Sequence, residues 1–303
     1  MTKLTIFIQC YNRPAYAKST IESVLNQTNK EFRLVISDNS SNDELYHLAQ
    51  AEFPNIECRR RAPSLPALDH FNKSISEVDT DYFCLFHDDD LMEPEYVDAM
   101  LKTIELYPHA VAYACNAVTI DEEVVRKGSF FESGVKYVII DNPRALASRY
   151  FSKYPNGFAP FPAYIYRSSV VKKIPLNPQT GGKYSDVSWL LEISKNGPIV
   201  WNSRELIRYR MHAANDSNLE SLRDRLKLLG FLKLNKSFVG QAVINDCRFG
   251  IYKNLRKSSL ISHGADFRHK SFIEHYLLQY RLKRFFRPET YAYFYYKLRK
   301  FVR

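Results

Sequence analysis

Glycine is scarce in this chain, 10 of 303 residues, while 45% of side chains are hydrophobic, which excludes a disordered or low-complexity protein. The five cysteines (10, 58, 84, 115 and 247) are odd in number and form no CxxC pair, so neither a disulfide framework nor a zinc site is implied. They read as core filling in a reducing, cytoplasmic setting. No run approaches the ~18 apolar residues of a membrane span. The start, MTKLTIFIQCYNRP, lacks the apolar h-region and small-residue cleavage site of a signal peptide. There is no internal repeat. No RRM, KH or helix-turn-helix pattern is present, which argues against a nucleic-acid partner.

Acidic residues are also scarce in one place. Residues 220–303 carry 19 Lys and Arg against 6 Asp and Glu, whereas residues 1–219 carry 24 against 27. A near-neutral body with a basic tail is implied, and an anionic partner should meet the tail.

LTIFIQC (4–10), FRLVISD (32–38) and DYFCLFH (81–87) read as short buried strands. Helices alternate with them: one opens at Pro14, one follows SSND with Ser41 and Glu44 at capping-box spacing, and one begins near Pro94. Such alternation predicts an α/β fold, a mostly parallel, Rossmann-like sheet with helices on both faces. Ligands of such sheets bind beyond the carboxyl ends of the strands. Asn12 and Arg13, Asp38, and Asp88–Asp90 all fall at such ends. Residues 111–140 look like hairpin material, 154–166 form an aromatic, proline-rich loop, and 185–197 form a helix ended by Asn196–Gly197. From 220 onward the pattern is helical.

Three consecutive aspartates need an explanation, because like charges ~4 Å apart cost ~4 kcal/mol per pair at an effective dielectric near 20. A helix cap accounts for one of them, Asp90, but not for three. A hard divalent cation, Mg²⁺ or Mn²⁺, held together with a substrate diphosphate would offset the repulsion.

LTIFIQCYNRPAYAKSTIESVLNQT, LVISDNSSND, FCLFHDDDLMEPEYV, YSDVSWLLEISKNGPI and YRMHAANDSN follow one another in an order that resembles the family-2 glycosyltransferases and their GT-A fold. The resemblance covers roughly 3–218. It implies a GT-A domain over 1–219, with a nucleotide-binding half (1–110) and an acceptor-binding half (111–219), followed by a basic helical region (220–303). It places Tyr11 against the nucleobase, Arg13 near the nucleotide, and Asp38 as acceptor of a hydrogen bond from the base. The DxD-type motif falls on His87–Asp88–Asp89, with Asp88 toward the ribose and metal shell and Asp89 on the metal. His87 departs from the commoner aspartate. The general base, in an ED-type motif reading Ser185–Asp186 here, becomes Asp186, and Ser185 replaces its usual acidic neighbour. His212 matches a histidine near the metal or diphosphate, flanked by Arg208 and Arg210, which are able to neutralise phosphate. No Gln-x-x-Arg-Trp motif follows Asp186, so one sugar per acceptor is expected, transferred with inversion.

The plainer readings stand beside these. Tyr11 fits a core, Asp38 a turn residue bonding its own backbone, Asp186 a first-turn aspartate, and the aromatic loop a lid on the core. Glycine is also missing where the first strand ends, in CYNRPAY, which argues against a nucleotidyltransferase and its Gly-rich phosphate loop. A nucleotide-sugar-binding scaffold without catalysis is the other rival. In the tail, apolar residues recur at 278, 282, 285 and 286, then at 291, 295, 298 and 302, with eight Lys and Arg between 281 and 303. Such a helix suits an anionic membrane surface through 276–303, or packing on the body or on a second subunit of a homo-oligomer. The expected reaction moves sugar from a UDP-sugar to a glycan or lipid-linked glycan, in bacterial surface polysaccharide or lipopolysaccharide synthesis.

Overall fold

The computed structural model describes residues 3–121, 125–153, 157–212, 221–257, 267–288 and 291. Among them ten strands form one sheet: β1 (Leu4–Cys10), β2 (Phe32–Asp38), β3 (Glu57–Arg60), β4 (Tyr82–His87), β5 (Leu91–Met92), β6 (Ala112–Ile120), β7 (Arg126–Ser129), β8 (Tyr137–Ile140), β9 (Tyr164–Arg167) and β10 (Ile199–Arg210). The helices are α1 (Pro14–Leu25), α2 (Glu44–Glu52), α3 (Ala67–Ser76), α4 (Tyr96–Leu106), α5 (Pro143–Phe151), α6 (Ser168–Val171), α7 (Ser185–Ile193), α8 (Leu222–Leu234), α9 (Lys236–Val239), α10 (Gln241–Lys257) and α11 (Phe267–Phe285).

The sheet runs β3-β2-β1-β4-β9-β6-β10-β5, with β7 on β6 and β8 on β10. Its first four strands are mutually parallel, and β9 enters antiparallel between β4 and β6. From β1 the chain goes outward to β2 and β3, then returns to the opposite side of β1 as β4. The carboxyl ends of β1 and β4 therefore flank a topological switch point, where open α/β sheets form their ligand crevice. Gln9 pairs with His87 there, one residue short of both loops.

Alternation along the strands builds two cores. Ile6, Ile8, Ile36 and Phe86 face α1, α2 and α4 through Ile21, Leu45 and Met100. Phe7, Val35, Phe83 and Leu85 face the opposite layer, with Leu146, Trp189, Leu190 and Trp201. Helices of the basic region join this second core through Leu228, Leu232, Val243 and Ile244.

Two expected features differ. The Ser41–Glu44 capping box does not form, since α2 starts at Glu44 behind Asp43 and the Ser41 N–H instead donates to Asn12 Oδ1 at 2.9 Å. Residues 112–129 do make a hairpin, β6–β7, but YVII pairs with β10. A capping box forms elsewhere, between Ser221 and Asp224 at the start of α8.

The tail stripe has the opposite facing to simple core packing. Among the described side chains of α11, Leu277 and Tyr280 are buried against Phe249, and Tyr280 Oη lies 3.1 Å from Asp246 Oδ1. The fully buried Asp246 also receives Ser152 Oγ at 2.7 Å, Arg287 Nη1 at 2.8 Å and Arg284 Nε at 3.3 Å. Leu278, Leu282, Phe285 and Phe286 lie on the outer side, 56–70% exposed. The recurrences at 295, 298 and 302 fall outside the described residues. No described helix is long and apolar enough to cross a membrane.

Candidate active site

The site begins with the turn after β1. Asn12 takes the left-handed conformation, φ +53°, which asparagine tolerates because its side chain bonds locally. Asn12 Oδ1 accepts from the Ser41 N–H, and the Asn12 N–H donates to Ser40 Oγ at 3.0 Å, so the β1 and β2 loops are clipped together. This turn leaves Tyr11 51% exposed. It also aims Arg13 across the crevice at the aspartates.

The three aspartates have separate tasks. Asp88 is fully buried; its Oδ2 accepts the Tyr11 N–H at 2.8 Å and its Oδ1 lies 2.7 Å from Arg13 Nη2. Asp89 Oδ2 meets Arg13 Nη1 at 2.5 Å and His212 Nε2 at 2.9 Å. Asp90 Oδ1 accepts the Arg210 N–H at 2.9 Å, while its buried Oδ2 accepts no hydrogen bond and lies 3.9 Å from His87 Nδ1. Thr20 Oγ1 bridges the Asp88 and Asp90 carbonyls from α1. Asp90 is thus no helix cap: α4 starts six residues later behind Glu95, without a side-chain cap.

Their acidities separate accordingly. Burial pushes the Asp88 carboxyl up to about 7, although Arg13 and the Tyr11 N–H pull the other way. Burial and the neighbouring Asp89 charge raise Asp90 well above the carboxylate range. Burial opposes ionisation of Asp89 too, but His87, Arg13 and His212 outweigh it and hold this carboxyl below its ordinary value. Of the three, the middle aspartate is the one whose surroundings favour the ionised form.

One ligand atom each from His87, Asp89 and Asp90 lies within 4.8 Å of the others. Two carboxylates and an imidazole, one carboxylate oxygen being buried without a hydrogen bond, fit a divalent cation, and the mixed oxygen–nitrogen set suits Mn²⁺ better than Mg²⁺.

At the end of β2, Asp38 is fully buried with both oxygens engaged. Oδ1 accepts the Ser40 N–H at 2.9 Å, and Oδ2 accepts Arg60 Nη1 at 2.9 Å. Arg60 also reaches Asp43 Oδ1 at 2.5 Å.

Asp186 sits in the first turn of α7, half-buried, and burial raises its carboxyl to about 6 against the pull of the Val187 N–H and its own. An aromatic wall joins it to the aspartates. The Phe161 ring lies 5.7 Å from His87 and 6.1 Å from Trp189, one turn beyond Asp186. Tyr164 and Tyr166 of the aromatic loop are fully buried core, whereas 154–156 lie outside the described residues.

Residues 5–174 match the sequence model of glycosyl transferase family 2, over more than half of the chain. The chain belongs to that family. An uncharacterized glycosyltransferase of Haemophilus influenzae is 23% identical over 225 residues, covering 71% of this chain and 68% of that one. Another, of Rickettsia felis, is 28% identical over 134 residues, 44% of this chain but only 21% of its own length. The crystal structure of S. aureus TarS 1-349 in complex with UDP-GlcNAc superposes with a TM-score of 0.55 over 83% of this chain and 81% of that one. At 14% identity that likeness shows the fold alone, GT-A.

In this family-2 transferase Tyr11, Arg13, Asp88, Asp89 and His212 gather at one place. Asp186 stands across the aromatic wall, and Asp38 lies beneath the β2 loop. The flanking arginines are not phosphate ligands in waiting. Arg208 is paired with Glu93 through Nε and Nη2, both at 2.8 Å, and Arg210 is buried with Nε on the Asp89 carbonyl. Sequence reasoning read the aspartate trio as a cation site but did not group His87 and Asp90 with Asp89, and it missed Arg60 as the partner of Asp38. Only the side-chain alternation through HDDD, which turns successive residues to different neighbours, hinted at the first two.

Proposed function

We propose that this transferase moves one sugar from a nucleotide-diphosphate sugar to a hydroxyl of a glycan or lipid-linked glycan, with inversion. The observation that carries the reading is the pairing of an ionised Asp89 at the switch point with a raised-pKa Asp186 across an aromatic wall. A UDP-sugar donor is supported by the UDP-GlcNAc bound to the fold neighbour TarS. Tyr11 presents its exposed ring to the base. Asp38 acts on the nucleoside by fixing Arg60 and the Ser40 turn, and Asp88 backs Arg13 toward the ribose and phosphates. Asp89 would hold Mn²⁺ or Mg²⁺ with His87, Asp90 and His212. A cation bound there neutralises the leaving diphosphate. Asp186, ionised above its pKa, takes the proton of the acceptor hydroxyl as that oxygen attacks the anomeric carbon, and the nucleoside diphosphate leaves from the opposite face. The half-buried Phe161 offers an apolar face for the acceptor sugar. The outer side of α11 and its cations suit a cytoplasmic membrane face, where a lipid-linked glycan in surface polysaccharide synthesis would be met.

Calorimetric titration of UDP, GDP, dTDP and CMP, each with and without Mn²⁺, tests the donor site. One diphosphate binding in a metal-dependent way, and losing that binding in Asp89→Ala, is expected. A folded protein that binds none of them overturns the reading.

A further inference from the structure

The three-way contact of Arg13 is the feature the proposed reaction leaves unused. Its backbone is fixed by the left-handed Asn12 before it and by Pro14 at the first turn of α1 after it. The guanidinium spans two carboxylates, Nη2 to Asp88 Oδ1 at 2.7 Å and Nη1 to Asp89 Oδ2 at 2.5 Å, with His212 Nε2 3.4 Å from Nη1. Asp89 is therefore the one carboxylate that Arg13, His212 and a divalent cation all require, with Arg13 and His212 both on its Oδ2. A cation on that oxygen would face the Arg13 charge at contact range, a like-charge pair in a half-buried crevice.

The two contacts of Arg13 are not equivalent. Asp88 is fully buried and fixed by the Tyr11 N–H, so it serves as a hinge point. Asp89 lies at the crevice, and the Arg13 side chain is 30% exposed, which leaves Nη1 room to swing outward while Nη2 stays on Asp88. A diphosphate entering the crevice provides the anionic partner that such a swing needs, since a guanidinium fork suits phosphate as well as carboxylate.

We propose that Arg13 is a positioning residue that sets binding order: it holds the cation position on Asp89 in the free protein and yields it only to a nucleoside diphosphate. Cation and nucleotide then bind with positive coupling, and each raises the affinity for the other by the same factor. This rests on the donor-site reading above.

Titrations of Mn²⁺ alone, UDP alone, and Mn²⁺ at saturating UDP separate the possibilities, read by calorimetry and by the electron paramagnetic resonance of free Mn²⁺. Arg13→Ala should bind Mn²⁺ alone about tenfold more tightly than the wild type, the size expected from removing one charge-assisted competitor. The same variant should bind UDP alone more weakly and lose most of the Mn²⁺–UDP coupling. Arg13→Lys, a point charge unable to span both carboxylates, should fall between the two and guards against misfolding of the alanine variant, which thermal melting checks. Mn²⁺ binding alone that is unchanged or weaker in both folded variants overturns the role of Arg13, while metal-dependent UDP binding survives as evidence for the donor site. Absence of Mn²⁺ and UDP binding in every combination overturns both.

Discussion

Asp246→Ala should loosen the basic tail from the catalytic body, and the size of the effect follows from the contacts of one carboxylate. Asp246 is fully buried on α10 and receives Ser152, Tyr280, Arg284 and Arg287. Removing one partner of a buried ion pair costs ~3–5 kcal/mol. Here the lower end applies, because Arg284 and Arg287 are 16% and 25% exposed and turn toward water when released. About 3 kcal/mol corresponds to a melting shift of about 6–12 °C for a chain of this size class. Ser152→Ala removes a single hydrogen bond, about 1 kcal/mol, and should shift melting by about 2–4 °C. Circular dichroism melts give the shifts, and chymotrypsin nicking beside Tyr280 reports whether α11 has come away. An Asp246→Ala protein that melts within a degree or two of wild type and resists chymotrypsin equally would show that Asp246 does not fasten the tail.

Three further outcomes are expected. The Asp186 carboxyl, raised to about 6, must be ionised to act as base, so the rate of sugar transfer should rise with pH through about 6 and fall tenfold per unit below it; Asp186→Asn should lose ~10²–10⁴ in rate with unchanged nucleotide affinity, and full activity in that variant refutes the base assignment. Arg208→Ala should leave diphosphate binding intact and lower stability by less than ~1 kcal/mol, the scale of a partly exposed ion pair, whereas a large loss of UDP affinity would restore Arg208 to the phosphate site. Replacing Leu278, Leu282, Phe285 and Phe286 together by serine should cut co-sedimentation with phosphatidylserine-containing vesicles at least tenfold, as about four lost apolar contacts predict, and an unchanged bound fraction removes the membrane role of α11.

The parts of the fold legible in the sequence are those whose stabilisation is local or fully apolar. β1, β2 and β4 are continuous hydrophobic runs bounded by turn residues, and α7 carries a clean stripe, although it ends at Ile193, ahead of the expected Asn196–Gly197 stop. β3, β5 and β9 are two to four residues long and owe their extended form to register with neighbours, which no window of sequence contains. The site divides the same way. Asp88, Asp89, Asp186 and His212 stand out through motif and order, but their partners do not. Arg13 meets Asp89 across 76 residues of chain, and Arg208 meets Glu93 across 115. Asp90 was misread for a related reason: a cap is a local explanation, and its actual partner is the backbone of β10, 120 residues on.

That distribution of partners also explains how three adjacent aspartates coexist in a buried turn. Two ionised carboxylates ~4 Å apart cost ~4 kcal/mol at an effective dielectric near 20, and burial adds to that for each charge. Full ionisation of the trio is therefore disfavoured, and the surroundings decide which member keeps its charge. Asp88 has Arg13 and one N–H but is the deepest, so its carboxyl rises to about 7. Asp90 has a backbone N–H and only His87 Nδ1, 3.9 Å away, near its second oxygen, and burial beside the Asp89 charge raises it further. Asp89 alone is surrounded by His87, His212 and Arg13, and it alone is pulled down. One favoured charge thus remains in the trio, flanked by two carboxyls that burial makes reluctant to ionise. The repulsion that makes the motif look unfavourable in sequence is relieved in the folded chain because each aspartate meets different neighbours, and only one of them is favoured as the anion.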